Sequence, residues 1–301
     1  MRDLHFVVPP GIGDISWVYS KVKALAKQRP VAFSICNDLP HRSKPFVDLL
    51  PHIENLGYEE DLPYWKAFEE VLPSDTKLSE LDSGRYVLSL NTHLESGKPL
   101  SEAYPDQPTD YHYGPSMPTL SSGSRIKTIL GDERQMVGVY CSSYQHREDI
   151  LFWKVKEWVQ FLMGVRMHLP TARFVIIGAP YDDRTQEVYT ALQAMGEDPV
   201  AFLDQPIGFT FRVIQRLDYF FAFPSGLGIL ADVLDTPCMM WFWGNLPNWE
   251  RVSGLFDSYA DPEHVSSTSG FHLMAPYATP YESLQLWLKR GHQHVRERKD
   301  A

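Results

Sequence analysis

Short apolar runs alternate with helix-like segments along this chain, and this alternation constrains the fold more than any other feature. Between the first two runs, residues 17–28 place Val18, Val22 and Leu25 at helical spacing. The strand-like runs of the first half are 4–8, 31–35 and 86–90. A strand, helix, strand order favours a parallel sheet with helices packed on its faces.

The second half repeats the alternation. Its strand-like runs are 136–140, 173–177, 218–223 and 238–243. The segment after Trp153 predicts an amphipathic helix, because its apolar residues fall on one face, namely Val155, Trp158, Val159, Leu162 and Val165. We therefore predict two α/β units.

The link between the two units is predicted from composition. Residues 91–124 are rich in Pro, Ser, Gly, Asp and Tyr and lack sustained periodicity, which indicates a long loop region. We place the boundary near residue 130. The expected division is an N-terminal domain 1–130, a C-terminal domain 131–280 and a terminal helix 281–301.

Composition narrows the class of protein. The chain has 301 residues, of which 44% are hydrophobic, enough for two cored domains. A formal net charge of -10 argues against a broad basic face for nucleic-acid phosphates or anionic lipid. The three cysteines stand in apolar runs and are expected to be reduced thiols. With no signal peptide or transmembrane segment visible, we expect a cytoplasmic protein.

The first strand-like run is followed by the Gly-Ile-Gly-Asp loop 11–14, and a helix is predicted to begin near Ile15 or Ser16. Glycines let the backbone approach a ligand, and a helix start offers amide donors, so the loop suits an anion or a sugar. Alternatively, Asp14 simply caps the helix. A dinucleotide fingerprint needs glycine where Ser16 stands, which disfavours a nicotinamide oxidoreductase.

A second glycine-containing loop, Pro-Ser-Gly-Leu-Gly at 224–228, follows the run 218–223. The backbone N–H groups of Ser225, Gly226 and Gly228 would lie at the opening of a helix, where a diphosphate can accept them. The alternative is a glycine-assisted turn in which Ser225 is a plain cap.

Three stretches, in this order and spacing, carry a resemblance to a known family. They are the loop 11–15, the segment 137–143 with 152–153 and 174–180, and the turn 224–231 with 234–237. Together they resemble the heptosyltransferase-like glycosyltransferases, which include the ADP-heptose:lipopolysaccharide heptosyltransferases.

The resemblance implies an α/β protein of GT-B fold, in which two Rossmann-like doubly wound domains face each other across a cleft. The first domain would hold mainly the acceptor and the second the nucleotide sugar. The family's loop aspartate, taken to deprotonate the acceptor hydroxyl, maps onto Asp14. The predicted donor-binding residues are Gly11, Gly13, Ser142, Ser143, Arg147, Lys154, Gly178, Ser225, Gly226, Leu227 and Gly228. Neither a metal nor a cofactor is implied, since the nucleotide sugar is a co-substrate.

Some positions depart from the family pattern. Pro224 stands where the family usually has an acidic residue, and Ile229 where it commonly has histidine. The lysine expected just before Trp153 is also missing. Arg147 or Lys154 could reach the diphosphate in its place, or both are solvated surface charges.

Further polar residues follow other strand-like runs. Asp182 and Asp183 could suggest a metal site, but an acidic pair here is favoured as a helix cap. The predicted acceptor-binding residues are Asn91, His93 and Glu95, after the run 86–90, and His112 within the Tyr-His-Tyr stretch 111–113. Alternatively, His93 has no functional role, and the aromatic stretch that contains His112 simply packs beneath a loop.

The leading hypothesis is transfer of a sugar from a nucleotide donor to a hydroxyl acceptor, with inversion and without a metal. The family resemblance favours a lipopolysaccharide or other glycan acceptor. One alternative is a glycosyltransferase acting on a modified nucleobase, and a nucleic-acid acceptor stays among the alternatives although the acidic charge offers no support. Another is a catalytically silent nucleotide-sugar-binding protein of the same fold.

Overall fold

A computed structural model provides the structure of the chain. It describes residues 4–36, 40–59, 79–82, 85–87, 124–131, 134–142, 153–179, 182–223, 225–243 and 270–274. The chain separates into two compact units: unit 1 is Met1–Pro118 with Glu250–Ser266, and unit 2 is Thr119–Trp249 with Ser267–Ala301. The domain division 1–130, 131–280 and 281–301 stays a prediction, and the expected terminal helix lies outside the described residues.

Unit 1 contains a mainly parallel sheet. Its elements are β1 (Leu4–Val8), α1 (Ile12–Ala26), β2 (Val31–Cys36), α2 (Pro40–Val47), β3 (Ile53–Glu59), β4 (Ser79–Asp82) and β5 (Arg85–Val87). The strand order is β3-β2-β1-β5-β4, with only β4 antiparallel to its neighbour. Phe6 and Phe33 meet edge to face with ring centroids 6.3 Å apart, and α1 buries Val18, Val22 and Leu25.

Unit 2 contains a six-stranded sheet. Its elements are α3 (Ser124–Leu130), β6 (Met136–Tyr140), α4 (Val155–His168), β7 (Arg173–Gly178), α5 (Asp183–Ala194), β8 (Val200–Leu203), α6 (Ile207–Ile214), β9 (Tyr219–Ala222), α7 (Gly226–Val233), β10 (Cys238–Trp243) and β11 (Gly270–Met274). The order β11-β10-β9-β6-β7-β8 is parallel throughout. Chain order therefore reverses between β6 and β9, as in doubly wound sheets.

The core of unit 2 follows from its sequence pattern. Every residue of β6 and β9 is buried, which is what continuous apolar runs produce in a parallel sheet covered on both faces. Helix α4 buries Trp158, Leu162 and Val165 of its predicted apolar face in the core of unit 2, whereas Val155 and Val159 are only partly buried. No helix in the described part of the chain is long and apolar enough to cross a membrane.

Candidate functional site

The reversal point between β6 and β9 brings two predicted donor-binding stretches together. The two strands pair in parallel with Tyr140 opposite Ala222, so they end at the same edge of the sheet. Cys141 and Ser142 follow β6, and Ser225 follows β9 after a short turn. Open α/β sheets bind ligands in the crevice at such a point.

Ser225 caps the N-terminus of helix α7, which begins at Gly226. Its Oγ accepts a hydrogen bond from the Gly228 N–H at 3.2 Å, and its carbonyl accepts one from the Ile229 N–H at 3.1 Å. The capping role weighed as an alternative is therefore present. It leaves the first-turn amides of Gly226 and Leu227, which no carbonyl of the helix can accept. These two N–H groups and the helix dipole form an arrangement that suits an anionic oxygen.

Gly228 has a packing role. A Cβ placed on it would lie 2.4 Å from Met240 Sδ, so the missing side chain lets α7 approach β10 closely. Its N–H donates to Ser225 Oγ, and the phosphate contact predicted for Gly228 stays a prediction.

Gly178 at the end of β7 also serves packing. A Cβ there would lie 2.9 Å from Thr185 Cγ2 and 3.0 Å from Leu203 Cδ2. The glycine therefore lets α5 pack onto the strand ends. The donor contact predicted for Gly178 stays a prediction.

An aromatic cluster supports the turn after β9. Phe223, the residue after this strand, packs edge to face against Trp158 and Trp153, with ring centroids 5.1 and 5.9 Å apart. Trp153 in turn contacts Phe161 at 5.2 Å. Such aromatic pairs add about 0.5–1.5 kcal/mol each beyond their buried area, so the cluster stabilises the position of Phe223 at the end of β9.

The corresponding loop of unit 1 follows β1. Helix α1 begins at Ile12 with Gly11 as its N-cap, so the predicted start near Ile15 or Ser16 is wrong. Asp14 consequently lies within the first turn and is not the N-cap residue. A carboxylate in this position interacts favourably with the helix dipole. Its Oδ2 lies 2.6 Å from the point that a Cβ on Gly11 would occupy.

Several solved structures are similar to this chain over most of its length. An E. coli ADP-heptose LPS heptosyltransferase II matches with a TM-score of 0.59 and 14% identity, covering 99% of this chain and 100% of that one. A glycosyl transferase family 9 structure from Veillonella parvula matches with a TM-score of 0.60 and 10% identity, covering 98% and 97%. E. coli heptosyltransferase WaaC with ADP matches with a TM-score of 0.54 and 12% identity, covering 96% and 100%.

The chain has the GT-B fold. This confirms the fold class predicted from the resemblance. No protein family profile matches the sequence, and no curated protein matches it. Because a fold hosts different reactions, the activity has to be argued from the site.

The thiol that follows β6 in this GT-B chain is not a catalytic nucleophile. Cys141 is fully buried, and burial raises the pKa of its thiol well above the ordinary value. A protonated buried thiol is not a nucleophile. Arg184, in the first turn of α5, acts electrostatically on this thiol and opposes that shift. This guanidinium was not singled out by sequence, because its proximity to β6 depends on the sheet order.

Asp182 stands at the N-cap position of α5, as predicted, but its carboxylate bonds elsewhere. The Ala179 N–H donates to Asp182 Oδ2 at 2.6 Å, which closes the turn after β7. The backbone carbonyl of Asp182 accepts the Thr185 N–H at 3.0 Å. Asp183 is exposed. Within the described residues, no three His, Cys, Asp or Glu side chains group as metal ligands would.

The remaining predicted residues divide into two groups. Gly13 is buried in the first turn of α1, Ser142 is buried just after β6, and Lys154 is exposed at the N-cap position of α4. Those outside the described residues are Asn91, His93, Glu95, His112, Ser143 and Arg147. Their roles stay predictions.

Sequence reasoning missed a polar row on the sheet of unit 1. It consists of His5, Ser34, Glu59 and Arg85, one from each of β1, β2, β3 and β5. His5 Nε2 lies 2.6 Å from Ser34 Oγ and 3.6 Å from Glu59 Oε1, and Arg85 donates to Glu59 Oε2 at 3.0 Å. The available signal was a polar residue inside each of two apolar strands.

Proposed function

We propose that this chain is a glycosyltransferase that moves a sugar from a nucleotide-sugar donor to a hydroxyl acceptor. The main support for this proposal is the turn after β9. There Ser225 caps α7, and two adjacent first-turn amides are left for a ligand at the reversal point of a doubly wound sheet. The fold shared with glycosyltransferase structures supports the same proposal.

On the donor side, the N–H groups of Gly226 and Leu227 would bind the diphosphate. Both N–H groups belong to the first turn of α7, and Phe223, shortly before it, packs in the aromatic cluster, so we expect little reorganisation as charge develops on the departing diphosphate. This arrangement supports a transfer in which main-chain amides stabilise the leaving group.

On the acceptor side, Asp14 would take the proton from the attacking hydroxyl. Carboxylates are competent general bases when they lie within hydrogen-bond reach of that proton. A single displacement at the anomeric carbon would then invert its configuration. The hydroxyl oxygen forms the new bond as the bond to the diphosphate breaks, and the proton ends on Asp14. A glycan acceptor such as a lipopolysaccharide core is the form of the proposal to test first.

Replacing Gly226 with proline tests the donor side. Gly226 is the first helical residue, where proline is tolerated and removes only the N–H. We expect binding of ADP-heptose to weaken by about 10- to 100-fold, the effect of losing one hydrogen bond to a charged group. Calorimetric titration would measure it. The matched control is Ile207→Pro at the start of α6, which should leave binding unchanged. Unchanged affinity in Gly226→Pro would contradict the amide assignment.

The Asp14→Asn substitution tests the acceptor side. A panel of ADP-, GDP- and UDP-linked sugars is first screened for thermal stabilisation, and the best donor is assayed for transfer and hydrolysis. We expect turnover to fall by about 10²- to 10⁴-fold, the usual contribution of a general base, with donor affinity unchanged. Asp48→Asn, an exposed change in the same unit, is the control.

The outcomes separate the competing functions. Near-normal turnover in Asp14→Asn would remove the base assignment. Donor-induced stabilisation of the wild-type protein without transfer or hydrolysis would instead favour a nucleotide-sugar-binding protein. Activity with a nucleobase acceptor, and none with glycans, would redirect the acceptor class.

A further inference from the structure

We infer that Gly11 is a positioning residue, whose missing side chain provides the place where the Asp14 carboxylate lies. The inference rests on the proposed function for its catalytic consequence, but its geometric part stands alone. It differs from the donor contact predicted for Gly11 from sequence, because the glycine would act through Asp14.

Backbone conformation does not explain a glycine at this position. Gly11 has φ −71° and ψ 132°, an extended conformation open to any residue. Glycine is also not the best N-cap, since serine, aspartate and asparagine are preferred there. The reason for glycine must therefore be the space around its Cα.

That space is occupied by the carboxylate. A Cβ on Gly11 would lie 2.6 Å from Asp14 Oδ2 and 3.7 Å from its Cγ. The first distance is far shorter than a van der Waals contact, so any other residue at position 11 forces either the backbone or the carboxylate to move.

The backbone on both sides of Gly11 is held. The buried Ser43 hydroxyl of α2 donates a hydrogen bond to the Pro10 carbonyl. The Gly11 carbonyl accepts the Ile15 N–H at 3.0 Å, which is the first hydrogen bond of α1. Moving the backbone would break one of these bonds, whereas rotation about χ1 and χ2 moves the Asp14 carboxylate and leaves both backbone bonds intact. The carboxylate is therefore the group that yields.

A catalytic carboxylate displaced by about 1 Å loses on the order of 10²-fold in rate. The fold should tolerate the same change, because only the end of a partly exposed side chain moves. The expected signature is a fall in kcat with donor KM and thermal stability both retained.

Gly11→Ser is the decisive variant. It adds the Cβ while supplying a preferred N-cap, so loss of helix stability cannot imitate the effect. Crystal structures of the wild-type and Gly11→Ser chains should show that the Asp14 carboxylate is displaced in the variant relative to the wild type, while the start of α1 is unchanged. With release of ADP from ADP-heptose as the readout, kcat should fall about 10²-fold while donor KM stays within about twofold.

A double-mutant cycle with Asp14→Asn supplies the control. If Gly11 acts through Asp14, Gly11→Ser should cause no further loss in the Asp14→Asn background. Independent losses that multiply would overturn the inference, as would a carboxylate that keeps its position in the Gly11→Ser crystal structure.

The failures of the two proposals are distinguishable. Normal turnover in Asp14→Asn would end the base assignment, whatever Gly11→Ser does. A strong loss in Asp14→Asn with normal turnover in Gly11→Ser would keep the base and reject the positioning role. If the wild-type chain releases no ADP from ADP-heptose, the crystallographic comparison alone decides the positioning.

Discussion

The sheets of the two units are packed with different kinds of side chain. At the centre of unit 2, β6 and β9 are buried throughout, and their neighbours are apolar and aromatic side chains. In unit 1, one face of the sheet carries the polar row, from Ser34, which is buried, to Arg85, which is partly exposed. Purely parallel strands covered on both faces usually lack such a row.

The two kinds of packing contribute differently to fold stability and to the choice of strand register. The aromatic packing in unit 2 removes a large apolar area from water, at about 25 cal/mol per Å². The polar row contributes less, because desolvating charged groups offsets most of their attraction. Yet it constrains strand register, since a one-residue slip of β2 would move Ser34 to the opposite face from His5. The polar row therefore fixes the strand register of unit 1, while aromatic burial stabilises the fold of unit 2.

Trp158→Ala should have the largest effect. Trp158 is fully buried between Trp153, Phe161 and Phe223, so its truncation leaves a cavity. We expect unfolding free energy to fall by about 3–5 kcal/mol. Hydrogen exchange followed by mass spectrometry should show lost protection in β6 and β9 and retained protection in β1 and β2.

The same helix offers a control for that substitution. Met167 is 82% exposed, and Met167→Ala should change stability by less than about 0.5 kcal/mol. If Trp158→Ala costs no more than this control, the aromatic cluster does not carry the stability of unit 2.

Glu59→Gln should have a smaller effect, confined to unit 1. It removes the charge that pairs with Arg85 and approaches His5 while keeping the side-chain shape. We expect a loss of about 1 kcal/mol, because these side chains are partly solvated and an exposed pair contributes at most about that much. Urea denaturation would measure the loss, and hydrogen exchange would place it in β2 and β3.

Asp198→Asn is the matched control for the polar row. Its carboxylate also pairs with arginines, Arg134 at 3.2 Å and Arg173 at 3.1 Å, but it is 67% exposed. We expect a loss below about 0.5 kcal/mol. An equal loss in the two variants would show that the polar row is an ordinary surface ion pair.

The strands could be predicted where the sequence forms a continuous apolar run. The runs 4–8, 136–140 and 238–243 coincide with β1, β6 and β10, because central parallel strands are continuously apolar. Strand β3 was missed, since this edge strand alternates exposed Glu54 and Leu56 with partly buried residues. Helix α2 was missed because it is short and contains Pro45.

Within the site, local sequence predicted positions better than roles. The turn after β9 and the loop after β1 were both found from glycine and strand endings. The packing role of Gly228 depends on Met240, which belongs to the next strand, and that of Gly178 depends on Leu203. Such distances arise from tertiary packing, so no local pattern contains them.

The three thiols lie in, or directly after, strands of the two sheets whose packing differs. Cys36 ends β2, Cys141 follows β6 and Cys238 begins β10, and all three are buried. Burial raises the pKa of Cys36 to about 12, with the charge of Glu59 adding to the shift, so its reactive thiolate is suppressed in the folded chain. An alkylating reagent can then modify each thiol only when its own strand opens. The wild-type chain thus carries a built-in reporter of opening for each unit, and an added surface cysteine would react with a fluorophore ahead of all three.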